Sequence, residues 1–178
     1  VIKGERVKTR VGKNAQAVRT AITLHGNFLM RYELIEVQSA DEWKAYHLLR
    51  RTVLWEAKGR FNYNENHPDE HLNANHPLLL KLQGRAIGTA RLDETGRGAG
   101  VVRLVSISSD VQRSGHGRAL SSLIEDYARR FGIATLLVNA APDAVGFYEK
   151  MGWKKDMWDQ SELRGLASDC IQMTKNLR

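Results

Sequence analysis

Apolar and charged residues alternate from Tyr32 to Val37 as Tyr, Glu, Leu, Ile, Glu, Val, the period of a strand with one partly solvated face. The period then lengthens. Trp43, Tyr46, Leu49 and Val53, with Leu54, recur at three-to-four spacing and predict an amphipathic helix of about four turns, opened by Ser39 or Asp41 and stopped at Gly59. From Phe61 to His76 the apolar content falls while Asn, His, Asp and Glu accumulate, which predicts a loop with at most a short helix. Two hairpins follow. Pro77 to Gln83 and Arg85 to Asp93 flank Gly84, and the glycine-rich turn from Glu94 to Gly100 leads into Val101, Val102, Leu104, Val105 and Ile107. A helix is predicted from about Gly117 to Phe131, with Leu120, Leu123, Ile124, Tyr127 and Ala128 inward and Gly132 ending it. The short run Thr135 to Val138 reads as a central strand, and Pro142 and Asp143 open a shorter helix carrying Val145, Tyr148 and Met151 up to Gly152. Strands near Trp153 to Trp158 and Ser168 to Thr174, the latter with Cys170 as filler, close the chain. Strand, helix, three strands, helix, strand, helix and two strands make a mixed α/β (α+β) sheet with helices packed on it.

The chain has 178 residues, the length of one ordinary domain. At 42% apolar and 26% charged, its composition is that of a packed, water-soluble fold. No run approaches the roughly 18 apolar residues of a membrane helix, and no secretory pattern opens the chain, so a cytoplasmic protein without a membrane partner is expected. The single Cys170 makes no internal disulfide. A net charge of +7 raises the question of nucleic acid, but +5 of it lies in positions 1–29 and only +2 in the remainder. Residues 1–29 are therefore expected to be a basic extension, disordered or non-native, ahead of a domain at 30–178. A basic binding arm, an acid-poor targeting peptide and sequence upstream of a start at Met30 are its three explanations. The last is preferred because regular periodicity begins at Arg31 and Tyr32.

The stretch from Val105 to Leu120 carries the chemistry. A strand runs into a Gly-punctuated turn, and the turn into a helix, which leaves backbone N–H groups at the helix start without partners and adds the positive end of the helix dipole. Such a site suits a phosphate. Gly115 and Gly117 allow close backbone approach, while Arg113 and Arg118 add charge-assisted contacts. Gly-x-Gly alone is a weak signal, equally the mark of a plain helix start. The Lys followed by Ser or Thr of a P-loop is missing, and the strand before the loop belongs to an antiparallel meander.

Gln112-Arg113-Ser114-Gly115-His116-Gly117 resembles the acetyl-CoA loop of the GNAT N-acetyltransferases, Gln/Arg-x-x-Gly-x-Gly/Ala. Gly146-Phe147-Tyr148, continuing to Gly152 and Trp153, is similar to that family's Phe-Tyr-x-x-x-Gly-Phe segment. The resemblance covers Met30 to Leu177. It implies the GNAT acyl-CoA N-acyltransferase fold, a mostly antiparallel sheet splayed between the strands ending near Ile107 and Val138. Acetyl-CoA would be the acyl donor, with its pantetheine arm lying along Val105, Ser106 and Ile107 and its diphosphate on Gln112, Arg113, Ser114, Gly115, His116, Gly117 and Arg118. Asn139 is a further cofactor contact, and Tyr148 is both a contact and the acid for the departing thiolate. By the same resemblance a small-molecule or protein amine is the acceptor, and a homodimer is an available state.

The chain departs from the pattern at Ser109, where the family often has Pro, and at Ala141, where it often has Asn. Val101 and Val102 begin the strand in which many members keep a glutamate base. That leaves the base open among Glu56, Glu70, His71, Asp93 and Glu94, each also readable as a solvated surface group, or a chain of waters. His67, His71 and His76 lack a metal-binding register, so no metal is expected. His116 is expected to face solvent or a phosphate, and Arg50 and Arg51 to face water. Trp55 with Phe61 and Tyr63 would wall the acceptor pocket. The acidic residues Glu65, Asp69 and Glu70 lean toward a cationic amine such as a polyamine, an aminoglycoside or lysine. Two rivals stand beside the enzyme: a non-catalytic acyl-CoA-binding module of the same fold, and a nucleic-acid binder that works through the basic arm.

Overall fold

The computed structural model describes residues 17–24 and 28–177. Its strands are β1 (Ala17–Leu24), β2 (Phe28–Glu36), β3 (Asn75–Leu82), β4 (Arg85–Gly96), β5 (Ala99–Ile107), β6 (Thr135–Ala140), β7 (Lys154–Lys155) and β8 (Ile171–Asn176). Its helices are α1 (Ala40–Arg50), α2 (His116–Arg130) and α3 (Val145–Lys150). Among the described residues the strands form one sheet in the order β1-β2-β3-β4-β5-β6-β8-β7. Every neighbouring pair is antiparallel except β5 with β6.

Two differences from the sequence reading concern the ends of the sheet. Regular structure does not wait for Arg31, because β1 pairs with β2 from Ala17 opposite Ile35 to Leu24 opposite Phe28. Val18, Thr20, Ile22 and Thr23 are β-branched and favour a strand, a preference hidden by the basic residues that precede them. At the other end, the strand expected at 153–158 shrinks to Lys154–Lys155, and Cys170 precedes β8 without joining it.

Helices cover both faces. Leu78, Leu79 and Leu80 are consecutive and all fully buried, as a strand enclosed on both sides requires. Leu78 and Leu80 join the core beneath α2, with Leu120, Leu123 and Tyr127, whereas Leu79 packs with Tyr46 and Leu49 of α1. Ser39 starts α1 through a capping box with Glu42. After Arg50 the helix widens into a π turn at Arg51–Trp55 and tightens into a single 3₁₀ turn before Gly59. Both hairpins close with two-residue turns at positive φ, Gln83-Gly84 and Arg97-Gly98, as their register demands.

A partly buried charged cluster ties β2, β3, β4 and α2 together. His76 lies 3.2 Å from Glu36 through Nδ1 and 2.8 Å from Glu94 through Nε2. Carboxylates only accept, so both ring nitrogens donate and the imidazolium fits. Tyr127 donates to the other Glu36 oxygen at 2.9 Å. The Glu36 hydrogen bond, seconded by Glu94, raises the His76 pKa above its ordinary 6.5 despite burial. The His76 hydrogen bond lowers Glu36 below 4.5. The His76 contribution to stability is therefore complete below pH 6.5 and is lost as pH rises through the folded pKa, while that of Glu36 is present above 4.5 and is lost on acidification. Melting temperature should fall as pH rises above 6.5, and His76→Gln should flatten that limb. Equal slopes in both proteins would remove His76 from the account.

Candidate active site

β5 and β6 begin side by side and then part. Their pairing runs from Ala99 opposite Thr135 to Val102 opposite Val138 and stops there. β6 continues along β8 while β5 continues along β4 to Gly88 opposite Ile107, which opens a wedge between them. A bulge marks the parting. Thr89 faces Ser106 but Arg91 faces Arg103, and Leu104 has a φ of 53°, a left-handed conformation seldom taken by a branched side chain. Beside the bulge Gly88 is required by space, since a Cβ there would stand 2.9 Å from the Ser106 carbonyl oxygen and 2.7 Å from Ile107 Cδ1.

The wedge holds a cavity of about 550 Å³. Val105, Ser106 and Ile107 line one wall, Asn139 and Tyr148 the opposite one, and Gln112 one end. Ser108 N–H donates to Ile87 O at 2.8 Å, so strand alternation turns the N–H of Ile107 away from β4 and toward the wedge. The carbonyl of Ile107 accepts from Gln112 Nε2 at 2.8 Å, which fastens the loop to the strand end. Thr89 and Ser106 hydroxyls pair at 2.8 Å behind it. Asn139 accepts from Gln172 Nε2 at 3.0 Å, which fixes the orientation of its amide.

The loop then delivers the start of α2. Arg113 and Gly115 have φ values of 62° and 85°, and Gly115 is the N-cap residue with no side chain capping the helix. The first amides of α2 are thus free of side-chain partners, at the positive end of a helix of 15 residues. Arg113, Ser114 and Arg118 are exposed around it. A Cβ on Gly115 meets nothing within 4 Å, and one on Gly117 would touch the Phe147 ring at 3.6 Å. These features fit an anionic diphosphate. His116 is a correction: its side chain faces neither solvent nor loop but is buried, with Nδ1 hydrogen-bonded to the Tyr32 hydroxyl at 2.7 Å. At the first position of α2 its side chain swings inward over β2, so only its backbone remains on the anion side.

Tyr148 sits in α3 between the wedge and Trp153, 7% exposed, and its hydroxyl has no hydrogen-bond partner among the described residues. Burial pushes its phenol up to about 12, so it stays protonated and able to donate at any working pH. Cys170, expected as strand filler, lines the same cavity instead.

Sequence reasoning missed the chain of ion pairs beside this cavity. Arg50 donates to Glu70 at 2.6 Å, Arg91 to Glu70 at 2.9 Å and to both oxygens of Asp93 at 2.7 and 2.9 Å, and Arg103 to Asp93 at 2.7 Å and to Glu162 at 2.7 and 2.9 Å. Arg50, expected to face water, is 2% exposed and lies over the Tyr46 ring at 4.7 Å. Glu70 and Asp93, read as solvated, are buried and saturated by guanidiniums. Burial alone would raise the Glu70 carboxyl, but the Arg50 hydrogen bond and the charges of Arg50 and Arg91 hold it below the usual range. Glu70 is thus held ionised, and both Asp93 oxygens are occupied by guanidinium donors. Glu94 is occupied by His76, on the α2 face. Among the described residues no cluster fit for a metal occurs.

The sequence profile described as an acetyltransferase (GNAT) domain matches residues 60–177. The chain belongs to the GNAT acetyltransferase family. Solved structures repeat the fold. An acyl-CoA N-acyltransferase from Pseudomonas aeruginosa superposes with a TM-score of 0.67 at 18% identity, over 82% of this chain and 99% of that one. An acetyltransferase of the GNAT family from Staphylococcus aureus gives 0.67 at 14%, over 83% and 99%. The N-acetylglutamate synthase of Neisseria gonorrhoeae, complexed with coenzyme A and N-acetyl-glutamate, gives 0.63 at 19%, over 83% of this chain and 35% of that one. The GNAT chain therefore has the expected fold, an open, mostly antiparallel sheet flanked by helices, and none of its described helices is long and apolar enough to cross a membrane.

Proposed function

We propose that the chain is an acetyl-CoA-dependent N-acetyltransferase that passes the acetyl group directly to a primary amine of a small molecule or a protein. The observation that carries this reading is the join of an uncapped helix start at Gly115 to a cleft walled by the edge of β5 beyond the end of its pairing with β6. Backbone amides at the start of α2, with Arg113, Ser114 and Arg118, hold the diphosphate. Val105, Ser106 and Ile107 hold the pantetheine arm as a further strand would be held, Gln112 braces the loop, and Asn139 adds a contact from β6. Coenzyme A supplies the activated acetyl thioester.

The Ile107 N–H, turned into the wedge, donates to the thioester oxygen as negative charge gathers there. Tyr148 gives its phenolic proton to sulfur while the bond from carbon to sulfur breaks and the bond from nitrogen to carbon forms. Water takes the proton that the amine sheds, because the nearby buried carboxylates are saturated, and returns one to the Tyr148 phenolate. Tyr148→Phe should lower kcat roughly tenfold to a hundredfold, the modest end of acid catalysis because a thiolate departs readily unprotonated, with coenzyme A affinity within about twofold of the parent. Thiol-release kinetics beside calorimetry check this, and undiminished turnover would remove Tyr148 from the mechanism. A chain that binds coenzyme A but releases no thiol with any amine would be a non-catalytic acyl-CoA module.

A further inference from the structure

A second cavity, of about 310 Å³, adjoins the cleft on the side away from the phosphate loop, and the two share Trp55, Leu104 and Leu166 as lining. That volume suits a small molecule. Leu104, the left-handed residue at the bulge of β5, is part of the lining that the two cavities share. Resting on the acetyl-transfer reading, we propose that this side cavity is the acceptor site and that it takes an amine bearing a second, protonated nitrogen, held by Asp69 against the aromatic wall of Trp55 and Tyr63.

Charge compensation singles out Asp69. The guanidiniums of Arg50, Arg91 and Arg103 are balanced by the carboxylates of Glu70, Asp93 and Glu162, whose oxygens already accept from them. Arg50 Nε, a buried donor without a partner, has no surface to offer a ligand. Within the lining of this second cavity, a carboxylate-bearing acceptor would find both guanidiniums, Arg50 and Arg91, already paired. The Asp69 side chain is 46% exposed, and its nearest basic groups, the Arg91 guanidinium at 3.6 Å and the His67 ring at 3.7 Å, make no hydrogen bond to its carboxylate. Its main chain is pinned, with its N–H donating to His67 Nδ1 and its carbonyl accepting from Asn75 Nδ2 at 2.8 Å. A placed carboxylate with unused lone pairs calls for a donor cation, and the residual negative charge beside the neutral ion-pair chain selects for it.

The aromatic wall points the same way. Trp55 and Tyr63 meet edge to face, with centroids 4.8 Å apart, and Tyr63 is steadied by His47 at 2.6 Å. Ring faces attract ammonium groups. Phe61, expected to join this wall, is 85% exposed and stands outside the cavity, and Glu65, expected to add acidity, lies near Arg51.

The test uses the full chain and acetyl-CoA with matched linear diamines, amino alcohols and ω-amino acids, read as thiol release beside a calorimetric titration of coenzyme A. Diamines should have the lowest KM. Asp69→Asn should raise the diamine KM roughly tenfold to a hundredfold and leave kcat, amino alcohol KM and coenzyme A affinity within about twofold. Asp69→Glu should retain part of the diamine preference. Amino alcohols or amino acids that match the diamines in the parent, or a diamine KM unmoved by Asp69→Asn, would overturn the proposal and leave acetyl transfer intact. Absence of coenzyme A binding would instead overturn the transfer reading and this one with it.

Discussion

Gly115→Glu is expected to abolish coenzyme A binding and to leave the fold standing. Gly115 adopts a φ of 85°, and a side chain there costs about 1–2 kcal/mol of backbone strain. The added Cβ meets no atom within 4 Å, so nothing in the core is displaced. An anionic side chain at a helix start is itself favourable. The same carboxylate stands where the diphosphate would lie, however, and repels it while filling the space that glycine leaves. Affinity should fall by roughly a hundredfold or more, about 3 kcal/mol, while melting temperature shifts by only a few degrees. Calorimetry with a parallel thermal melt reads both. A Kd equal to that of the parent would place the nucleotide elsewhere.

Glu70→Ala should be the most damaging single change to stability. The Glu70 side chain is 3% exposed and accepts from Arg50, Arg91 and Tyr46 at once. Its removal strands the buried Arg50 guanidinium, which has no other hydrogen-bonded carboxylate, and leaves Arg91 to Asp93 alone. Breaking a buried pair from one side costs about 3–5 kcal/mol. Urea denaturation should show the midpoint falling without a change in slope. Glu70→Gln should recover part of the loss by retaining a hydrogen-bond acceptor, whereas a parent-like midpoint in the alanine variant would mean that water reaches the arginines.

Where the fold is specified by local periodicity, the chain is easily read. The three-to-four spacing on α2 and the glycines at the two hairpins and at the ends of α2 and α3 all reappear at the expected positions. The wedge was legible only through its loop, because a parting of strands is set by the bulge at Leu104, and a residue in the left-handed region leaves no trace in hydrophobic pattern. His116 was misplaced for a related reason: a histidine within a glycine-rich turn reads as exposed until Tyr32, far away in sequence, is brought beneath it. The ion pairs were illegible. Arg91 and Asp93 share a strand face by alternation, but the other links of the chain, Glu70, Arg103 and Glu162, come from three other segments, and isolated charges read as surface.

Amide hydrogen exchange, measured with and without coenzyme A, tests most directly where the nucleotide thiol lies. The N–H groups of Val105 and Ile107, together with those from Ser114 to Gly117, should exchange more slowly in the bound protein, while β2 and β3 keep their rates. Slowing confined to other segments, with Val105 to Ile107 unchanged, would contradict the assignment of the splayed strands to the donor.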